Sequence, residues 1–413
     1  MLKFFKRIIE WIKSLFTKKE KITIESEIFL EAPKYFPLPN GEFPVKATYA
    51  FYDPFIDGRH FKELKECGFN VIGQNLSQDA LDRNLEFAKK YDLYVGACPY
   101  GKTNENTLKT LLEKYKNNPN IWTFSMVDEP NISQFEEISH YQNIFNEYAP
   151  NVNPIFNLFP ACGKTQLGTD SYQEYVRDFI KIVNPAFISY DCYPIKADSR
   201  GEWYIDDCQW RTLEVISAYA KMSNRPFWTY LLSNKHWSYP KPSTGSIRFQ
   251  MYSALAYGTQ ALMFWTYGHP DFDKDNEFSE AIIDKEGNLT DTYYITKDLL
   301  SDFRKIQHIF LNMEVINVGH IRSIPEYSKE FNILPDNIKS IKLGGYCGAV
   351  VSHFKNKDKE YLLVVSKDIY ETNDLEIITS NYNYLKLWNG IDFGNVFETK
   401  FKLKPLDYLL FEI

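Results

Sequence analysis

The run Ile121-Trp-Thr-Phe-Ser-Met-Val-Asp-Glu-Pro-Asn131 decides the fold: an apolar stretch that ends abruptly in two carboxylates and a proline. Its aromatic and branched residues suit a buried strand, and Pro130 cannot extend the ladder. Asp-Glu-Pro is also a plain helix start, with acids near the N-terminus and proline in the first turn. Its meaning therefore depends on what surrounds it. Moving outward, strands are expected near Lys46 to Phe51, Asn70 to Gly73, Leu93 to Cys98, Pro154 to Phe159, Phe187 to Tyr190, Pro226 to Leu231 and Ala261 to Trp265. Helix patterns fall between them at Asp79 to Lys90, Thr107 to Lys116, Ser133 to Glu147, Tyr172 to Val183, Thr212 to Met222 and Ile247 to Tyr257, and Thr292 to Leu311 would close the set. Strand and helix alternating in this way means parallel pairing with right-handed crossovers. Eight units in roughly 250 residues match a closed (β/α)₈ TIM barrel better than an open sheet. No glycine-rich phosphate loop follows the first strand, which weakens the doubly wound alternative.

The chain divides into residues 1–22, an approach segment at 23–44, a barrel at 45–318 and a C-terminal domain at 319–413. Residues 1–22 carry Phe4, Phe5, Ile8, Ile9, Trp11, Ile12, Leu15 and Phe16 at helical spacing, with Lys3, Lys6, Arg7, Lys13 and Lys18 between them. That is a basic amphipathic helix, read as a membrane-surface anchor, a docking helix for an assembly, or a helix packed on its own barrel. Neither a cleavable signal peptide nor a transmembrane span fits it, and the compartment stays open. The approach is proline-rich (Pro33, Pro37, Pro39, Pro44). Beyond the barrel, strand-like runs at Gly348 to Phe354, Glu360 to Val365, Leu375 to Thr379, Tyr384 to Trp388 and Tyr408 to Ile413 alternate with turn formers such as Asn389-Gly390. These predict a small antiparallel β-sandwich.

The 54 acidic and 47 basic residues leave a formal charge of -7 spread along the chain, which argues against a nucleic-acid surface. Aromatic residues make up 16%, more than a core alone requires, and sugar-binding clefts use such rings. The six cysteines (Cys67, Cys98, Cys162, Cys192, Cys208, Cys347) include no C-x-x-C pair, so they read as reduced, mostly buried thiols rather than a zinc site or disulfide framework.

In such a barrel the active site lies just past the strand ends. Six ends carry suitable groups: Tyr52 and Asp53, Gln74 and Asn75, Asp128 and Glu129, Asp191 and Tyr193, Asn234 and His236, Tyr267 and His269. An acid beside apolar rings has its pKa raised toward the range in which it can donate a proton near neutral pH.

At this point the sequence resembles the glycoside-hydrolase clan of barrel enzymes that includes the barrel-type β-galactosidases, in which Asn-Glu-Pro or Asp-Glu-Pro ends the fourth strand. The resemblance implies Glu129 as general acid/base and Asp128 as a sugar contact. Phe187-Ile-Ser-Tyr-Asp-Cys-Tyr-Pro194 is similar to the clan's sixth-strand segment, and Ala261-Leu-Met-Phe-Trp-Thr-Tyr267 to its eighth, whose aromatic end floors a sugar ring. Phe278 to Thr290 and the ending Leu409-Leu-Phe-Glu-Ile413 are also similar. One departure stands out: the clan's retaining nucleophile, a second Glu, ends the seventh strand, and here Pro226-Phe-Trp-Thr-Tyr-Leu231 puts Leu231 at that position.

Three alternatives follow. Asp191 serves as the second carboxylate, on the order of 9 Å away across two strand spacings, as in an inverting pair. Another group, such as Asp53, Asp271 or one on the substrate, takes that part. Or the barrel no longer catalyses and only binds a glycan. His236 and Trp237 occupy the loop where the absent Glu would point, with sugar contact or loop packing as their alternatives, and His269 has the same two. Asp271, Asp273 and Asp275 alternate like a calcium loop, but Asn276 replaces the required glycine and Ile282 the closing Glu, so a solvated loop is expected. The expectation is an O-glycoside hydrolase without cofactor or metal, with Glu129 and Asp191 catalytic and Tyr52, Asp53, Asn75, Asp128, Tyr193, His236, Trp237, Trp265, Tyr267 and His269 around a carbohydrate. The competing class is an inactive carbohydrate-binding or structural barrel tethered through its N-terminal helix.

Overall fold

The structure, a computed structural model, describes residues 27–48, 58–75, 78–98, 104–270, 278–380 and 384–413. The expected N-terminal helix, Tyr52, Asp53 and the Asp271 to Asp275 loop lie outside the described residues. Eight parallel strands close into a barrel: β1 (Val45–Ala47), β2 (Val71–Asn75), β3 (Tyr94–Cys98), β4 (Ile121–Asp128), β5 (Asn153–Leu158), β6 (Ile188–Asp191), β9 (Phe227–Leu232) and β10 (Leu262–Trp265), with β1 pairing both β2 and β10. Between β6 and β9 a short hairpin, β7 (Ile195–Ala197) and β8 (Trp203–Ile205), stands at the sixth strand end.

The described helices are α1 (Arg59–Cys67), α2 (Gln78–Lys90), α3 (Glu105–Tyr115), α4 (Phe135–Tyr148), α5 (Tyr172–Val183), α6 (Cys208–Met222), α7 (Thr244–Tyr257) and α8 (Asp291–Phe310). Their ends follow from local chemistry. Ser171 accepts from the Glu174 N–H at the start of α5, and α7 opens with Ser243 and Ser246 bonding reciprocally. Gly258 ends α7 at φ 100°, a left-handed cap that suits glycine. No helix of the described residues is long and apolar enough to cross a membrane.

The barrel interior is layered. At its base Trp228 stacks on Trp122 at 4.7 Å and on Phe187 at 3.7 Å between ring centroids, and Tyr35 meets it edge-on at 5.9 Å. The proline-rich approach thus corks the barrel: Trp122 Nε1 and Asn153 Nδ2 donate to the Phe36 carbonyl at 2.8 and 2.9 Å, and Leu38 is buried. One layer higher lies the buried side chain of Lys46. Gly73 and Gly96 are cross-strand neighbours, and a Cβ on either would meet Lys46 Cε, at 2.5 and 3.1 Å. Two glycines therefore open the slot through which a lysine runs up the barrel axis.

The C-terminal module packs a six-stranded sheet, in the order β11 (Glu314–Ile321), β13 (Ala349–Asn356), β14 (Lys359–Ser366), β19 (Tyr408–Glu412), β16 (Leu385–Trp388), β17 (Phe393–Val396), on a three-stranded one of β12 (Ile338–Leu343), β15 (Asn373–Thr379) and β18 (Lys400–Leu403). Val351, Leu362, Val364, Leu375, Ile377 and Phe411 fill the sandwich. The strand β11 pairs with β13 and so belongs to the six-stranded sheet. Its outer face lies on the barrel: Tyr408 stacks on Tyr252 at 3.5 Å and Phe354 on Phe310 at 5.5 Å.

Candidate active site

At the C-terminal ends of the strands a cavity of 510 Å³ opens, within the range of small-molecule sites. Asp128 and Glu129 enter it from the end of β4. Glu129 takes φ 49°, a left-handed conformation uncommon for a residue with a side chain, and its N–H is held by the Asn157 carbonyl at 2.8 Å. Such local strain costs about 1–3 kcal/mol and concentrates at functional sites. The helix-start alternative is realised too: Asn131 and Gln134 cap each other at the turn that leads into α4, and Tyr175 donates to the Pro130 carbonyl at 2.6 Å. One triplet both aims a carboxylate and starts a helix.

Asp191, at the end of β6, faces the same opening. Asn157 joins it to Asp128 by donating its two Nδ2 protons to Asp128 Oδ1 at 3.0 Å and Asp191 Oδ1 at 2.9 Å, while its own Oδ1 accepts from Ser189 at 2.8 Å. Below them Lys46 Nζ donates to Ser125 Oγ at 3.0 Å. Asp128 keeps open surface where it lines the cavity. Desolvation is the leading influence on all three acids. It raises Asp128, opposed by the Asn157 hydrogen bond and the Lys46 charge. It lifts Asp191 well above its usual range, reinforced by the charges of Glu129 and Asp128. Burial, then the Asp128 charge, pushes Glu129 up to about 7. Burial also lowers Lys46 to about 8, against the pull of Cys98 and Asp128. Three acids and one cation thus compete for few charges, and a proton is available at neutral pH.

Aromatic residues enclose the rest. Trp237, 67% exposed, stands on the rim at φ 45°, and Trp265, Tyr193, Tyr230, Tyr239 and Phe278 line the walls. His236 packs on Tyr239 at 4.7 Å and Phe278 at 4.8 Å, with Nδ1 2.8 Å from Asn234 Oδ1. Burial lowers its pKa to about 4, so it is neutral here. Two expected residues are placed elsewhere. Tyr267 is buried in the outer shell against Phe69, at 5.6 Å, because the chain turns its ring toward the helices. His269 Nε2 lies 2.7 Å from the Phe278 carbonyl and supports the loop rather than lining the cavity. Asn75 ends β2 opposite Cys98. Leu231 pairs with Phe264 and packs in the outer shell, while its neighbour Tyr230 turns inward.

Sequence reading missed Lys46, Asn157, Tyr230 and a wall of three thiols, Cys162, Cys192 and Cys208. Of the last group only Cys192, directly after β6, offered a strand-end signal. The thiols are also less hidden than expected, since Cys162 and Cys347 are exposed. Among the described residues no group of three or more His, Cys, Asp or Glu is set out to hold a metal ion.

No family model and no curated protein matches the chain. Solved structures do. A β-galactosidase from Bacillus circulans sp. alkalophilus superposes with a TM-score of 0.62 at 8% identity, covering 90% of this chain and 99% of that one. This chain shares the barrel fold of that structure. A catalytic mutant of a GH42 β-galactosidase from G. stearothermophilus gives 0.60 at 9% identity over 90% and 98%, and a family 5 glycoside hydrolase from Bacteroides vulgatus gives 0.57 at 11% over 92% and 94%. The chain spans 60% and 58% of the length of two further similar β-galactosidases, from Marinomonas ef1 and Halorubrum lacusprofundi. Within this barrel, Glu129 directly follows the fourth strand and Tyr230 is the inward residue near the end of the seventh.

Proposed function

We propose that the chain is a glycoside hydrolase that cleaves O-glycosidic bonds of an oligo- or polysaccharide, with Glu129 and Asp191 as its acid/base pair. One observation carries the reading: Asp128, Glu129 and Asp191 meet on a single ring-lined cavity, with Asn157 between two of them. Glu129 protonates the leaving oxygen, and Asp191 activates water from the opposite side, giving inversion at the anomeric carbon. Asp128 and Asn157 contact the sugar or hold Asp191, and Trp237 and Trp265 offer faces for sugar rings. The relatives with this fold make β-galactosides and other β-glycosides the first substrates to try.

Burial and the neighbouring Glu129 and Asp128 charges raise Asp191 as well, which favours a second reading in which the roles are exchanged and Asp191 carries the proton. The test is a panel of β-glycosides assayed with Glu129→Gln and Asp191→Asn. Aryl glycosides with good leaving groups need no proton and restore a variant lacking its acid, whereas azide replaces a missing base. Recovery of Glu129→Gln on the activated substrate, with azide rescuing Asp191→Asn, supports the first assignment. The reversed pattern supports the exchange. Binding of sugars without turnover in the parent protein would leave a carbohydrate-binding barrel instead.

A further inference from the structure

Cys162, Cys192 and Cys208 come from three elements: the turn after β5, the residue following Asp191, and the first residue of α6. The barrel brings their sulfurs together. Cys162 N–H donates to Cys208 Sγ at 3.1 Å, and Cys192 Sγ lies 3.8 Å from Cys208 Sγ. The arrangement is braced, since Thr212 donates to the Cys208 carbonyl at 2.8 Å and accepts from the Ala161 N–H at 3.0 Å. Buried thiols usually act as small apolar groups. This set differs because Cys162 is exposed and all three line the cavity. Lys196, 2.5 Å from Asp206, adds positive charge nearby.

We propose that Cys162, Cys192 and Cys208 form a peroxide-sensitive thiol site in the cavity wall, in which Cys162 is oxidised first and one of its two neighbours resolves it to a disulfide. The Cys162 thiolate attacks one oxygen of a hydroperoxide; the O–O bond breaks, hydroxide or alkoxide leaves and takes up a proton, and a sulfenic acid forms. The neighbouring thiol, losing its proton, then attacks that sulfur and water leaves. Two thiols and one hydrogen peroxide thus give one disulfide and two waters.

Electrostatics assigns the first step. Hydrogen bonds from Cys192 and Cys208 hold the Cys162 thiol far below its ordinary value against the opposing effect of burial, and the Lys196 charge helps while that of Asp206 opposes. The same contacts push Cys192 and Cys208 upward. The trio therefore loses its first proton at the sulfur the solvent reaches. Cys347, the other exposed thiol, is raised by burial and the neighbouring Asp368 charge, and serves as the internal control. Because Cys192 follows Asp191 directly, a bond to it would tie the sixth strand end to the turn after the fifth, and a bond to Cys208 would tie the start of α6 there.

The test uses the full reduced chain. Iodoacetamide at about pH 6 should alkylate Cys162 at least about tenfold faster than Cys347. Brief exposure to hydrogen peroxide should yield, on peptide mapping without reductant, Cys162 linked to Cys192 or to Cys208, reversed by dithiothreitol. Equal or slower alkylation of Cys162, or an oxidised chain whose linked peptides omit Cys162, overturns the proposal. Neither readout requires a sugar, so its failure is separate from failure of the hydrolase reading.

Discussion

Glu129 keeps its proton near neutrality because burial and the Asp128 charge oppose ionisation. As a general acid it must be protonated, so kcat/KM should decline about tenfold per unit above about pH 7, and Glu129→Gln should lower it by about 10²–10⁴ and abolish that limb. The same shift bears on stability. A carboxyl whose folded pKa lies above its unfolded value stabilises the protein at low pH, and that contribution is lost as pH rises. For Glu129 the window runs from its ordinary 4.5 to about 7, and a melting curve should fall across it more steeply in the parent than in Glu129→Gln. Trp237, exposed on the rim, should contribute sugar stacking and little to folding: Trp237→Ala is expected to raise KM about tenfold with kcat and melting temperature nearly unchanged. At this scale the sequence exposed Asp128 and Glu129, because they end an apolar run in a motif of adjacent residues. Lys46, Asn157 and Tyr230 lie within strands, where only the barrel's register says which side chains face inward. Tyr267 shows the converse: it follows an apparent pocket strand yet packs outward on Phe69.

Among the elements, β2 and β3 do unusual work, since their paired glycines admit Lys46. Gly73→Ala would place a methyl 2.5 Å from Lys46 Cε, and Gly96→Ala one 2.6 Å from Thr123 Oγ1. Each should destabilise by about 1–3 kcal/mol in denaturant titration, as overpacking does. Gly73→Ala should also weaken activity by displacing the ammonium beneath Asp128. All eight barrel strands were legible within a few residues, because each is a short apolar run and most are followed by a helix pattern; the helix α1 between the first two was not read. The hairpin β7–β8 was not, having only three residues per strand; its Trp203 is clamped from afar by Tyr370, whose hydroxyl accepts from the Trp203 N–H at 2.8 Å. The strands β17 and β18, of four residues each, escaped for the same reason, and β11 and β12 were not read either.

For the whole molecule, barrel and sandwich share a continuous core. Val350, Phe354, Leu363, Val365 and Leu410 of the sandwich cluster with barrel residues, and Arg248 pairs with Asp407 at 3.1 Å. The two should therefore melt together in a single calorimetric transition. Tyr408→Ala, removing a ring stacked on Tyr252 and a hydroxyl 2.9 Å from its partner's, should lower stability by about 3 kcal/mol without separating the transition into two. The cork of the barrel sets a direction for the molecule. Glu27 is moored where α5 and α6 end, 2.6 Å from Lys181, on the side away from the carboxylates. A bead or dye fixed at Glu27 itself would therefore stand on the face opposite the mouth.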